Sequence, residues 1–347
     1  MRDALALADK RLDELESETR LQGAVNDIRK LAKSGPLTDA VIGEEARRYL
    51  LAPSSVSRRR LQYGNTVTAL YAIWESYVEG LLSAYVRESL SNPASADAVV
   101  KNHLAKVLEV VNLASKSVPR YAGEDKAELL RAAAAVSDGQ LEKASVTALI
   151  HHTYNLRSGG IQSLSSDLGA PDVWRQTLGD SRLISTLTKL GLPVPVQTPP
   201  TDKLFVLDDL CQRRNDYAHG AEVDDLLDET YQLAYIKSVR ATAHALFSSL
   251  IEKAYFPGSP RYSRLGSYTE RFRGSIVVAV AQSGASCRVG DLCILVGGTK
   301  VPALRSIASL RVDDVEHDSL TSLSEGAEVG IGFDRDVAKT SEIFIRF

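Results

Sequence analysis

Arg213-Arg214-Asn215-Asp216-Tyr217-Ala218-His219-Gly220 closes a helix that begins near Asp202, and the reading of this stretch decides the fold. On a wheel of 100° per residue, Leu204, Val206, Leu207, Leu210, Cys211, Tyr217 and Ala218 form one apolar arc with Arg214 near its centre. Asp208, Asp209, Gln212, Asn215 and Asp216 take the opposite side. A guanidinium on a buried face is costly unless an anion meets it. That anion is either a protein carboxylate, with Glu75 and Glu79 the candidates, or a ligand. His219 is either a catalytic imidazole or an ordinary helix-end residue favoured by the C-terminal dipole. Gly220 lets the helix end in the left-handed conformation. Arg214 and His219 stand about 140° apart on an ideal helix, so they converge only if the chain leaves the helix near Ala218.

Upstream, residues 1–33 read as an amphipathic helix that packs on its own domain or on a partner, and Gly35-Pro36 stops it. A second helical pattern runs over about 43–51. A long helix over about 57–90 collects Leu70, Tyr71, Ile73, Trp74, Tyr77, Val78, Leu81, Leu82 and Tyr85 on a wide arc, as in a bundle interior. Helical segments are expected at about 95–115, 124–136 and 138–157. Residues 158–201, with Gly159-Gly160, a short helical piece at about 181–190 and the prolines from Pro193 to Pro200, read as an irregular insertion or connecting loop that delivers the chain to Thr201 or Asp202 as the N-cap of the motif helix. Another long helix follows at about 224–255.

At Phe256-Pro257-Gly258-Ser259-Pro260 the helical character stops. Short apolar or alternating runs at 274–281, 292–296, 303–310, 327–332 and 343–347, separated by turn pairs such as Gly290-Asp291, argue a small closed β-barrel. The fold class is therefore mainly α. An N-terminal helix (1–40) and a helical bundle (41–257, with 158–201 as the insertion) precede an all-β domain (258–347).

The 347 residues carry 41 Lys+Arg against 44 Asp+Glu, a formal net charge of -3, which excludes a global basic field for nucleic acid. Any RNA contact has to be local. No cofactor is implied: there is no GxxxxGK[ST] phosphate loop. No metal set is read either. His151 and His152 are adjacent and diverge, His103, His244 and His317 are isolated, and Cys211, Cys287 and Cys293 lack ligating spacing. Reduced cysteines, a charged opening after Met1 and an apolar run at Ile276–Ala281 too short to span a bilayer lead us to expect a cytoplasmic protein without a membrane partner.

The helical part resembles a HEPN domain, on Arg214-Asn215-Asp216-Tyr217-Ala218-His219 with Gly220 behind it. The helix Leu70-Tyr71-Ala72-Ile73-Trp74-Glu75-Ser76-Tyr77-Val78-Glu79 is similar to the early helix of HEPN families found beside prokaryotic defence and toxin genes. The resemblance implies a metal-independent endoribonuclease, a defence or stress toxin in which Arg214 and His219 are catalytic. It also implies a homodimer whose composite cleft joins two copies of the motif, with RNA of the translation machinery such as tRNA as substrate. An antitoxin or defence-system protein is the expected further partner. Asn215 is a candidate to hold His219 or the phosphate, Glu75 and Glu79 to orient Arg214, and Arg213 to bind the RNA backbone or solvent. The alternative is a non-catalytic HEPN adaptor that binds RNA or a protein. In related toxins, partners modify a tyrosine two residues after the histidine; Ala221 stands there. The tail resembles the second domain of translation GTPases, through Arg288-Val289-Gly290-Asp291-Leu292, Ala303-Leu304-Arg305-Ser306-Ile307 and Glu325-Gly326-Ala327-Glu328-Val329-Gly330-Ile331-Gly332.

Overall fold

A computed structural model describes residues 1–33, 55–90, 93–197, 202–220, 225–255, 262–272, 274–297, 300–334, 337 and 342–346. It divides the chain into two units, Met1–Phe247 and Ser248–Phe347. The helical pattern expected at 43–51 and the residue at Ala221 lie outside the described residues.

The first unit opens with α1 (Arg2–Lys33), which lays Ala8, Leu12, Leu15 and Thr19 as one buried stripe. These positions follow the helical repeat, so the apolar face needs only one neighbour. That neighbour is α2 (Ser55–Leu90). A row of acids on α1 adds ionic contacts to the later helix α11 (Glu229–Tyr255): Asp9 meets His244 at 3.0 Å and Asp13 meets Arg240 at 2.6 Å. The N-terminal helix is thus part of the bundle.

Helix α2 is the axis of the unit. Tyr63, Val67, Leu70, Tyr71, Trp74, Tyr77, Val78, Leu81, Leu82, Tyr85 and Val86 are all buried on it. Aromatic residues with polar tips enter a core only when those tips find partners. Trp74 Nε1 donates to the Leu156 carbonyl at 2.8 Å, and the Tyr77 hydroxyl donates to the Ala243 carbonyl at 2.6 Å.

Shorter elements follow: α3 (Pro93–Val100), α4 (His103–Ser115) and α5 (Lys126–Ser137). Asp125 caps α5 by accepting from the Ala127 and Glu128 amides. The single helix expected over 138–157 is not formed. Gly139 adopts a left-handed φ of 86°, and only a 3₁₀ turn (Leu141–Lys143) and α6 (Val146–Leu149) follow. Residues 150–157 run without helix, because their backbone is bonded across to α2: the Leu156 amide donates to the Tyr71 hydroxyl at 3.2 Å.

The region read as an irregular insertion with one short helical piece contains three helices, the unexpected α7 (Ser158–Asp167) and α8 (Val173–Leu178), and α9 (Ser181–Lys189) where the piece at about 181–190 was expected. Each is too short for a clear period, yet each buries a stripe: Ile161 and Leu164, Val173, Trp174 and Leu178, then Leu183 and Leu187. Asp180 caps α9, while Gly169 and Gly191 reverse the chain at positive φ. The segment is docked onto the motif helix α10 (Phe205–Ala218): the Ser158 amide donates to Asp208, and the Leu204 amide donates to the Ser158 hydroxyl. Asp202 does not cap α10, as the sequence led us to expect. Leu204 holds the N-cap position, and the Asp202 carboxylate instead pairs with Arg175 at 3.1 Å. Thr201 lies outside the described residues. Helix α11 starts at Glu229, capped by Asp228 through the Tyr231 amide.

In the second unit, strands β1 (Tyr262–Phe272), β2 (Ile276–Ala281), β3 (Cys287–Arg288), β4 (Leu292–Gly297), β5 (Lys300–Val312), β6 (Val315–His317), β7 (Ser319–Leu320), β8 (Glu328–Phe333) and β9 (Glu342–Arg346) are antiparallel in every pairing. The main order is β4-β9-β1-β2-β8-β5-β6, and β4 also pairs with β5, so the hydrogen-bonded order returns to its first strand. Leu265, Val277, Ala279, Cys293, Leu295, Leu310, Val329, Ile331, Ile343 and Ile345 fill the interior. Strand β1 was not visible in the sequence. Arg264, Glu270 and Arg271 are exposed on it, and Leu265 is its one fully buried apolar residue among those described. Gly266 is required there, since a Cβ would overlap the Val280 carbonyl of β2.

Candidate active site

Helix α10 stops where the motif needs it to stop. Ala218 is its last residue, His219 is the C-cap with φ -88° and ψ 5°, and Gly220 follows at φ 71°. The His219 amide still bonds the Asn215 carbonyl at 2.9 Å, and the Gly220 amide bonds that of Tyr217 at 3.1 Å. The imidazole of His219 is exposed, and no hydrogen bond joins it to Arg214 or Asn215 among the described residues. It faces solvent from a backbone whose amides at 219 and 220 are both bonded.

Tyr217 anchors this end. Its ring lies over Gly64 of α2, where any Cβ would overlap the ring carbons. Only glycine allows the two helices to come so close. Gly64→Ala therefore has to displace the ring and, with it, the end of α10. We expect a loss of about 1–3 kcal/mol, as for other overpacked contacts, read from denaturant unfolding; an unchanged midpoint would show that the ring swings away freely.

Arg214 is half-buried, as its place on the apolar arc requires, but no described carboxylate pairs with it. Its guanidinium carbon lies 4.7 Å from the centroid of the Tyr71 ring, and Nη1 donates to the Asn215 side chain at 3.0 Å. A cation on a ring face keeps its charge, and its in-plane N–H groups stay available for an anion. Burial holds the Tyr71 phenol above its usual value, so the ring stays neutral. Asn215 bonds Arg214, not His219.

Glu75 and Glu79 reach Arg214 only indirectly. Glu75 accepts from the Tyr71 hydroxyl at 3.3 Å. Glu79 is engaged by Arg120 at 2.5 Å and by His152 at 3.1 Å. Burial raises the Glu79 carboxyl, but the His152 hydrogen bond and the Arg120 charge outweigh it and hold the group below its usual value.

Arg213, expected against solvent or an RNA backbone, is instead a tie between elements. Nε donates to Asp209 at 2.6 Å, Nη1 to the Tyr63 hydroxyl at 3.0 Å and to the Asp225 carbonyl at 2.7 Å, and Nη2 to the Asp225 carboxylate at 3.0 Å. Burial works against its charge, yet these bonds from Tyr63, Asp209 and Asp225 raise the guanidinium above its usual range. Arg213 thus joins α2, α10 and the segment before α11. Arg213→Met should destabilise the protein by about 1–3 kcal/mol through the lost bonds to Tyr63, Asp209 and Asp225, with thermal unfolding as the measurement; an equal melting temperature would remove Arg213 from the framework.

Tyr71 and Asn155 complete the surroundings of Arg214, and neither was singled out in the sequence. Asn155 lies near the Tyr71 hydroxyl at 3.4 Å from a position 84 residues away. Tyr71 was read as core by its helical period, and nothing local to it signals a cation overhead. A separate cleft of about 410 Å³ lies between α1, α2 and the start of α11, where Lys30 and Arg59 are offset by Asp27, Asp228 and Glu229. That mixture does not suit a polyanion.

Among the described residues, no helix is long and apolar enough to cross a membrane. Residues 59–252 match the family described as RiboL-PSP-HEPN, a span that includes α2, Tyr71, Arg214 and His219 and covers more than half of the chain. No curated protein and no solved structure matches the chain.

Proposed function

The chain belongs to the RiboL-PSP-HEPN family, whose wider class is generally ribonucleolytic or RNA-binding, and from that premise we propose that it is a metal-independent endoribonuclease. The observation that carries this reading is the state of Arg214. It is a half-buried guanidinium on an aromatic face with no described carboxylate to neutralise it, five positions before an exposed histidine at a helix end.

RNA brings its own nucleophile. The 2′-oxygen attacks the adjacent phosphorus, the bond to the 5′-oxygen breaks, and a 2′,3′-cyclic phosphate remains. One base takes the 2′-proton and one acid supplies a proton to the leaving oxygen. Histidine is the side chain most often used for such proton transfers, and His219 is the candidate here. Arg214 binds the phosphate and offsets the charge that gathers on the phosphorane. One chain supplies a single His219, so separate base and acid imply two chains, and the proposed unit is a homodimer with a composite cleft. Local charge in that cleft outweighs a net -3.

The second unit has the closed pairing order of a small barrel. With its likeness to domain 2 of translation GTPases, it supports RNA of the translation machinery as the target and a defence or stress toxin as the role. Cleavage of purified tRNA and total RNA in a chelator tests the activity, and sedimentation of the intact chain tests the dimer.

A further inference from the structure

Helix α2 carries Tyr71, Glu75 and Glu79 at intervals of four, so all three lie on one face. The third partner comes from the non-helical segment 150–157. Oxygens of Glu75 and Glu79 and a ring nitrogen of His152 all lie within 4.8 Å of one another.

The orientation of His152 is the informative detail. Its side chain is 2% exposed, and Nδ1 lies 2.8 Å from the Tyr154 carbonyl. A carbonyl only accepts, so Nδ1 carries the proton. Nε2 is then the ring atom that faces Glu79 Oε1, 3.1 Å away. A ring nitrogen and a carboxylate oxygen at that distance are placed either to share a proton or to bind one ion together.

We propose that Glu75, Glu79 and His152 bind one divalent transition-metal ion of the zinc class. One imidazole and two carboxylates suit such ions, which take nitrogen and oxygen at about 2.0–2.2 Å. The 3.1 Å separation of Nε2 and Oε1 fits two neighbouring ligands of one ion, and the Glu75 oxygen lies within 4.8 Å of both.

The supporting shell is already in place. A metal-bound histidine usually donates its other nitrogen to a carbonyl or carboxylate, and bound carboxylates are themselves hydrogen-bonded. Tyr154 does the first; Arg120 and Tyr71 do the second, for Glu79 and Glu75. Glu79 is 24% exposed, which leaves a way in for the ion and room for water at a remaining position. The ion would fix Glu75, and through it the hydroxyl of the ring beneath Arg214. Its role is structural, and cleavage itself does not require it. The cysteines do not compete, since Cys211, Cys287 and Cys293 are buried and burial raises all three thiols.

The experiment uses the full-length, tag-free protein, stripped with chelator, dialysed and titrated with Co²⁺ by visible absorption and with Zn²⁺ by calorimetry. We expect one equivalent per chain. Glu75→Gln keeps an acceptor for Tyr71 and the fold, and should weaken binding at least about 10-fold; His152→Ala should abolish it. No binding by the wild type, or equal affinity in Glu75→Gln, would overturn the proposal. The readout is binding alone, so it stands or falls separately from RNA cleavage.

Discussion

Arg214→Ala should lower the rate of the proposed RNA cleavage by about 10²–10³-fold, the usual consequence of removing one preorganised group that stabilises transition-state charge. The guanidinium is held by the Tyr71 face and by Asn215, and no described carboxylate competes with the phosphate for it. Its loss costs the fold little, because a partly exposed cation–π contact contributes only about 0.5–1 kcal/mol. Arg214→Lys separates charge from geometry. It restores a positive charge but neither the planar fork nor the flat stacking on Tyr71, so it should recover only part of the rate. A Lys variant as fast as the wild type would show that charge alone suffices. An unchanged rate in Arg214→Ala would remove Arg214 from the chemistry.

His219→Ala should slow the proposed cleavage by about 10²–10⁴-fold, the range typical of a lost general acid or base. Stability should stay within about 0.5 kcal/mol, as for exposed positions without special contacts. The imidazole is exposed, and the bonds that terminate α10 run through the backbone of residues 215–220 and survive the substitution. Because fold and activity separate so cleanly here, His219→Ala is the better test of mechanism. Equal loss of melting temperature and rate would make His219 a structural residue.

How far the sequence revealed this molecule follows from the range of the signals. The long elements were legible because a buried stripe repeats many times along them: α1, α2, α10 and α11 all carry one. Helix α9 was legible as a short piece at about 181–190, but α7 and α8 were not, since each repeats its stripe too few times to outweigh the glycines around it. The break after Ser137 depended on Gly139 and on the bond between Leu156 and Tyr71, a contact 85 residues long. Strand β1 exposes charges and borrows its apolar surroundings from β2 and β9.

At the site, the odd chemistry of Arg214 and the stop at Gly220 could be read directly, because both are local. What Arg214 rests on could not. Tyr71 carries the same period as every core residue of α2, and the partners of Arg213 are spread over residues 63, 209 and 225. Glu75 and Glu79 were picked out as partners for Arg214, yet the structure turns them towards Tyr71, Arg120 and His152.

The most direct measurement incubates the purified wild-type chain with tRNA and total RNA in EDTA, beside Arg214→Ala and His219→Ala, and identifies the ends of the products. The account predicts discrete fragments ending in 2′,3′-cyclic phosphate from the wild type and none from either variant. Equal RNA binding by all three proteins with no cleavage by any of them would contradict it, and would make this HEPN domain a binding module.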